Sequence, residues 1–476
     1  MCFEEGGMVK KESLAVGTTP GLLRLTQPKR GLRALPILIL LVAFALRMWL
    51  FGAMVRYPDR FFQVDSHSYH SLAINLLRFH RFGSFDQAGV WVPHVDRTPP
   101  YPVFLATNYA IFGSLPAAAI MIQILVSTLT VALAYHLGRR WGNARAGTLI
   151  ALLMSIEVGS VLYANQVMTE TLFSCVFLGG MVAWSAMIWR KQWACGFLSG
   201  IMLGLAALIR PALMYFGPVG GLLSLLLYRG DRRRRWLATL SLVLAFVLVV
   251  APWMMRNYVV AGQAQLSTVQ AATLLFYNVR QLRAYRQGIS TEVAYAQLVE
   301  EVERETFDVV QQDQAMFTAY CQRKAIAEIR AYWRDYAIVH LKGSLAFFVI
   351  PTAGTMARAL GWVRTGTGLL SNLMTRGVSS TWQSFRDFRR RLSEVGHDDW
   401  LFFGTVGYES LYLLLLNAGA IWGGIRCLRT RRWDLLLLTV TVIGYFALVT
   451  GPVSYDARYR IPVMPFLALL ATMALP

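Results

Sequence analysis

The feature that most constrains this chain is the recurrence of apolar runs of about 17–25 residues, each long enough to cross a hydrocarbon core as a helix. They fall at 34–54, 116–138, 146–162, 170–189, 194–209, 212–228, 236–253, 407–426, 434–451 and 459–475. Within lipid the backbone must satisfy its own hydrogen bonds, and helices do so segment by segment. The expected fold class is therefore an all-α polytopic membrane protein with about 10 (roughly 9–12) transmembrane helices. Composition agrees: 56% of the 476 residues are hydrophobic and the mean hydropathy is +0.45.

The formal charge is +20, from 46 Lys+Arg against 26 Asp+Glu. In a soluble chain that excess would suggest nucleic acid. Here it gathers in short clusters beside the apolar runs: Lys29, Arg30 and Arg33; Arg139, Arg140 and Arg145; Arg190 and Lys191; Arg229 and Arg232 to Arg235; Arg426, Arg429, Arg431 and Arg432. Alternation of the runs puts all of them on one side, which the positive-inside rule makes cytoplasmic. No nucleic-acid partner is expected, and both termini are placed in the cytoplasm.

The opposite side then receives the long loops 56–115 and 254–405 and the short ones 163–169 and 451–458. The chain divides into a basic tail (1–33), an N-terminal transmembrane module (34–253) carrying the first external loop (56–115), an external, largely helical region (254–405), and C-terminal transmembrane helices (406–476). The run at 34–54 is too long for a signal-peptide core and reads as a retained span. The stretch 337–355 is interrupted by Lys342, and counting it as a span would move the Arg426–Arg432 cluster outside. An interfacial or re-entrant helix is expected there instead. Gly196, Gly200 and Gly204 lay a bare stripe along one helix for close packing. The five cysteines form no CxxC pair and no zinc or disulfide framework.

The first external loop holds the most chemistry. It runs Phe61-Phe62-Gln63-Val64-Asp65-Ser66-His67-Ser68-Tyr69-His70 and later Arg97-Thr98-Pro99-Pro100-Tyr101-Pro102. Asp65 stands just ahead of an amphipathic helix, so it is either an N-cap or a catalytic carboxylate. Glu170 at the mouth of a span is either a solvated helix-start residue favoured by the dipole or a second functional carboxylate. His67, His70 and His94 share the loop but match no metal signature. Arg210, beside Pro211 between two apolar runs, needs a polar partner or a task unless it snorkels to the interface.

The order Asp65-x-x-x-Tyr69 followed by Arg97-x-Pro99-x-Tyr101-Pro102 resembles bacterial relatives of the dolichyl-phosphate-mannose–protein mannosyltransferases, within the GT-C superfamily of membrane glycosyltransferases. Four later segments fit the same pattern: Met168 to Phe173, Leu208-Ile209-Arg210-Pro211, Pro252 to Tyr258, and Arg458 to Pro465. The resemblance implies a GT-C-like bundle whose long external loops contain interfacial helices. It implies a glycosyltransferase moving a sugar from a polyprenyl-phosphate-linked donor to an acceptor hydroxyl or similar group at the extracytoplasmic face, in a bacterial inner membrane. Asp65 would be the general base or a metal-site carboxylate and Glu170 the second acidic residue. Ser66 stands where many relatives carry a further carboxylate.

Such chemistry needs a base for the incoming hydroxyl and positive charge where the phosphate leaves. Arg458, then Arg256, Arg97 and Arg210, are the expected donor-phosphate residues, because guanidinium matches phosphate in shape and never loses its charge. Tyr69, Tyr101 and His67 are the expected substrate contacts. A divalent metal ion, if used, would be held by Asp65 and Glu170. Partners would be the lipid-linked donor, membrane lipids and an acceptor glycan, lipid or protein. A carrier or flippase for a lipid-linked intermediate is the alternative, although no matching halves with broken midplane helices are readable. An assembly protein without chemistry would leave Asp65, Glu170 and the arginines incidental.

Overall fold

A computed structural model describes residues 30–86, 89–306, 314–362, 397–451 and 456–475. Most of the basic tail expected over 1–33 lies outside these, as do 363–396 of the region 254–405. The chain is helical nearly throughout. α1 (Arg30–Met54) leads into the first loop, where α2 (Val64–Phe79), a hairpin of β1 (Gly83–Phe85) and β2 (Trp91–Pro93), and α3 (Pro100–Phe112) follow. Next come α4 (Pro116–Trp141), α5 (Ala144–Ser155), α6 (Val158–Tyr163), α7 (Glu170–Arg190), α8 (Trp193–Ile209), α9 (Phe216–Leu227) and α10 (Arg232–Ala261). A second group of helices runs through α11 (Val269–Thr273), α12 (Arg280–Gln287), α13 (Thr291–Thr306), α14 (Gln314–Ala331), α15 (Trp333–Val349) and α16 (Ala353–Leu360). The described chain closes with α17 (His397–Arg429), α18 (Trp433–Thr450) and α19 (Met464–Thr472).

Six described helices are long and apolar enough to cross a membrane: Ala34–Met54, α4, α7, α10, Trp400–Arg429 and α18. The protein is thus a multi-pass membrane protein. α7 is its centre, with 78% of its apolar stretch buried against 22–44% for the other five. Phe173 and Phe177 of α7 meet Phe446 of α18, and Phe177 also meets Phe216 and Phe466.

The remaining expected spans are helical but short or broken. The run 146–162 is cut at Glu157, whose carboxylate leaves the helix ladder to accept from Gly159 N and Ser160 N and start α6 afresh. The run 459–475 opens as a 3₁₀ segment, Ala457–Val463, before α19, since Pro462 and Pro465 remove ladder donors. The run 212–228 begins likewise with a 3₁₀ turn at Pro211–Leu213. The two three-residue strands are the departure from an all-helical reading.

The glycine stripe of α8 lies against α10. A Cβ on Gly196 would stand 2.7 Å from Ala238 O, one on Gly200 would run into Leu242 O, and one on Gly204 would stand 2.8 Å from Val249 Cβ. Backbone therefore packs on backbone, which only a missing side chain permits.

The basic helix ends meet at one end of the bundle. Arg432 donates to Trp141 O (2.8 Å) and Tyr228 to Lys191 O (3.2 Å). α10 emerges at the opposite end, where Arg256 reaches the first loop, and α17 must enter from that same end to finish at the basic one. Between them, α15 and α16 form a pair bent by 62°, the geometry of a broken span or of a re-entrant loop. Lys342, the residue that interrupts this stretch, turns its ammonium over the Tyr285 ring at 4.6 Å. Above this bend α11 to α14 enclose a small core of Leu275, Val279, Leu298, Val302 and Ala325. Arg283 ties it together by pairing with Glu301 and Glu328 at 2.5 and 2.7 Å.

Candidate active site

Asp65 is not the cap of α2. Gln63 is the N-cap, and Ser66 completes a capping box by accepting from Gln63 N at 2.8 Å. Ser66, in the position of the relatives' second carboxylate, thus serves the helix start. The Asp65 carboxylate is left to face away, and two arginines from distant parts of the chain take one oxygen each. Arg97 Nη2 reaches Oδ1 at 2.8 Å, and Arg458 Nη1 reaches Oδ2 at 3.1 Å. Arg97 comes from the loop ahead of α3 and Arg458 from the 3₁₀ segment before α19.

Glu170 opens α7 and is fully buried, so it is not a solvated helix-start residue. Its Oε1 pairs with Arg210 Nη1 at 3.1 Å and lies 4.0 Å from Arg458 Nε. Its Oε2 has no hydrogen-bond partner among the described residues. Arg210 is the C-cap of α8 and does not snorkel; it pairs inward and lies over the Tyr459 ring at 4.9 Å. Asp456 completes the set: its Oδ2 forms an ion pair with Arg458, 3.0 Å from Nε, and its Oδ1 caps the 3₁₀ segment by accepting from Arg458 N. Asp96 also lies 3.7 Å from Arg97 Nε, so three arginines and four carboxylates meet at one end of the bundle.

Tyr69 and Tyr101 form the wall. Arg97 stacks over the Tyr69 ring at 4.9 Å and donates to its hydroxyl at 3.3 Å. Tyr101 packs edge-on against Tyr69, 5.1 Å between ring centres, and is anchored by donating to Gln123 Oε1 at 2.8 Å. Two expected site residues sit elsewhere. Arg256 donates to His94 O and Phe82 O and stacks on Trp253, so it braces the hairpin of the first loop. His67 stacks on Phe62, 5.0 Å between ring centres.

His70 bonds Tyr109 and His94 bonds Asp96, so His67, His70 and His94 have different partners. Among the described residues no three His, Cys, Asp or Glu come together as a cation cage. The oxygens of Asp65 and Oε1 of Glu170 face guanidinium groups instead. As placed, these residues do not fit a divalent ion, and no step below passes through one.

Burial pushes the Asp65 carboxyl up, but Arg97 and Arg458 outweigh it and hold it below its ordinary value of 3.8. A carboxyl depressed by folding contributes stability above its unfolded pKa and loses it as pH falls through the folded one. The stability that Asp65 contributes is therefore expected to persist from neutrality down to pH 3.8, and Arg97→Gln is expected to move its loss to higher pH. Unfolding midpoints measured against pH that coincide for the Gln variant and the parent contradict this.

The arrangement can be set beside known proteins. Residues 96–255 match the family model described as dolichyl-phosphate-mannose-protein mannosyltransferase. Among solved structures, the apo oligosaccharyltransferase of Archaeoglobus fulgidus aligns with 93% of this chain at 15% identity and a TM-score of 0.53. The same enzyme in complex with an inhibitory peptide and a dolichol-phosphate aligns with 93% at 14% identity and a TM-score of 0.50. In both cases 50% of the other chain is covered, so this chain spans about half the length of the solved enzyme it matches. No curated protein sequence matches. The chain shares the fold of the part of that oligosaccharyltransferase it covers.

Proposed function

We propose that this protein is a membrane glycosyltransferase that moves a sugar from a polyprenyl-phosphate-linked donor to an acceptor hydroxyl or similar group. The observation that carries the reading is Asp65 held between Arg97 and Arg458 at a mouth shared with Arg210 and Glu170. The family match over 96–255 and the dolichol-phosphate in the Archaeoglobus complex support a lipid-phosphate donor. The site faces the extracytoplasmic side, since the basic helix ends occupy the other.

Asp65 takes the proton of the acceptor hydroxyl as the acceptor oxygen bonds the anomeric carbon. The bond from that carbon to the phosphate oxygen breaks, and its electron pair leaves with the polyprenyl phosphate. Arg458 and Arg210 stabilise the leaving charge by paired hydrogen bonds. The Glu170 carboxylate, fully enclosed, holds Arg210 in place for that role. A carboxylate clasped by two arginines is ionised but a weak base. When Arg458 turns from Asp65 to the incoming phosphate, Asp65 loses one cation and gains basicity. The donor therefore binds before the acceptor is activated.

The test is incubation of the purified protein with a panel of polyprenyl-phosphate sugars, with and without divalent ions, reading release of the lipid phosphate. Release with sugar appearing on an acceptor is expected. Movement of the intact lipid across a vesicle membrane without cleavage would establish the carrier instead.

A further inference from the structure

The bend between α15 and α16 leaves backbone groups that a bilayer does not satisfy. The last carbonyls of α15 and the first amides of α16 have no intrahelical partners, and orphaned groups are costly in lipid. One buried ion pair serves both ends. Arg460 Nη1 donates to Phe347 O at 3.0 Å and to Ile350 O at 2.8 Å. Glu409 accepts Thr352 N on one oxygen and Ala353 N on the other, at 2.7 Å each. The two side chains lie 3.5 Å apart and both are 1% exposed.

Neither comes from the bend itself. Glu409 projects from α17, and Arg460 from the 3₁₀ segment Ala457–Val463. Arg458 sits two residues earlier on that segment. With three residues per turn, positions two apart point to different sides. Arg458 accordingly meets Asp65 and Asp456 while Arg460 reaches into the bend. The far end of α16 is clasped as well, by Arg60 of the first loop donating to Leu360 O at 3.0 Å.

We propose that Glu409 and Arg460 are positioning residues: they fix the Ala457–Val463 segment on the α15–α16 bend so that Arg458 is presented to the lipid-linked phosphate, and they couple the bend to occupancy of that site. The inference rests on the donor-site reading of Arg458 given above. Arg460 is too enclosed to meet a phosphate itself. Its fork to two carbonyls and a carboxylate is one that lysine, with a compact ammonium, does not reproduce. Gln at position 409 keeps the size but offers one oxygen to two amides.

The experiment measures equilibrium binding of a short-chain polyprenyl phosphate to the purified full-length protein in detergent, for the parent, Arg458→Ala, Arg460→Lys and Glu409→Gln. Alongside it, amide hydrogen exchange of residues 347–354 is followed in the unaltered protein with and without that lipid, which needs no folded variant. The expected result is loss of binding in Arg458→Ala, weakening by about tenfold or more in the other two, and slower exchange at 347–354 when the lipid is bound. If Arg458→Ala loses binding while Arg460→Lys binds like the parent, or exchange at 347–354 ignores the lipid, the positioning role is overturned and the donor site stands. If Arg458→Ala binds like the parent, the donor site falls and the inference falls with it.

Discussion

Replacing Asp65 with Asn lowers sugar transfer by roughly 10²–10⁴-fold, the span typical for loss of a general base, without weakening the donor. The amide keeps the shape but takes no proton. It also leaves Arg97 and Arg458 without their shared counter-charge. Two guanidinium groups freed of a carboxylate attract phosphate more strongly, so KM for the donor is unchanged or lower while kcat collapses. Single-turnover transfer and direct lipid-phosphate binding, measured on the same preparation, separate the two effects. Full turnover in the Asn variant removes Asp65 from the mechanism.

Arg458→Ala is expected to fail in the opposite way. Arg458 touches Asp65 and Asp456 and lies 4.0 Å from Glu170, so it is the cation common to these three carboxylates. Without it the donor phosphate loses its main partner and meets negative charge instead. Transfer falls by roughly 10²–10³-fold, the cost of removing one stabiliser of developing charge, and donor KM rises as well. Lys at the same position recovers charge but not the two-pronged geometry, and restores only part of the loss. A donor KM unchanged in the Ala variant would move the phosphate site elsewhere.

These predictions rest on residues that the chain announces differently. Glu170, Arg210 and Arg458 could be read from sequence because charged residues at the ends of apolar runs are conspicuous, and Asp65 and Arg97 because they belong to the first-loop pattern that carries the family resemblance. Arg256 carries the same signal yet spends its guanidinium on loop carbonyls. A helix-end arginine does not declare whether its acceptor is a ligand or the backbone. Asp456 sits in a short loop where an acidic residue needs no explanation, so nothing in the sequence marks it. Arg47, Glu157 and Glu409 lie inside apolar runs, and an intramembrane charge is itself a signal. Reading helix ends alone missed them. Arg47 is fully enclosed, bonded to Ser127 Oγ and to the carbonyls of Ala43 and Ser155.

The membrane frame was legible because run length is a one-dimensional property. An irregular stretch could be expected over 337–355, but the positions at which the frame breaks could not. The cut at Glu157 follows from a carboxylate capping two amides, and the bend at 350–352 from an ion pair whose members lie far apart in the chain. Both are settled by contacts that local pattern does not encode.

The surplus of carboxylates at the mouth bears on how the proposed reaction would end as well as how it would begin. With Arg97, Arg210 and Arg458 faced by Asp65, Asp96, Glu170 and Asp456, the resting cluster carries no excess positive charge to retain a spent anion. On the proposed function, the Asp65 carboxylate would compete with phosphate for Arg458, and each closure of that pair would expel the used carrier lipid. A site tuned only for tight capture would stall on its own product; this one contains its eluent.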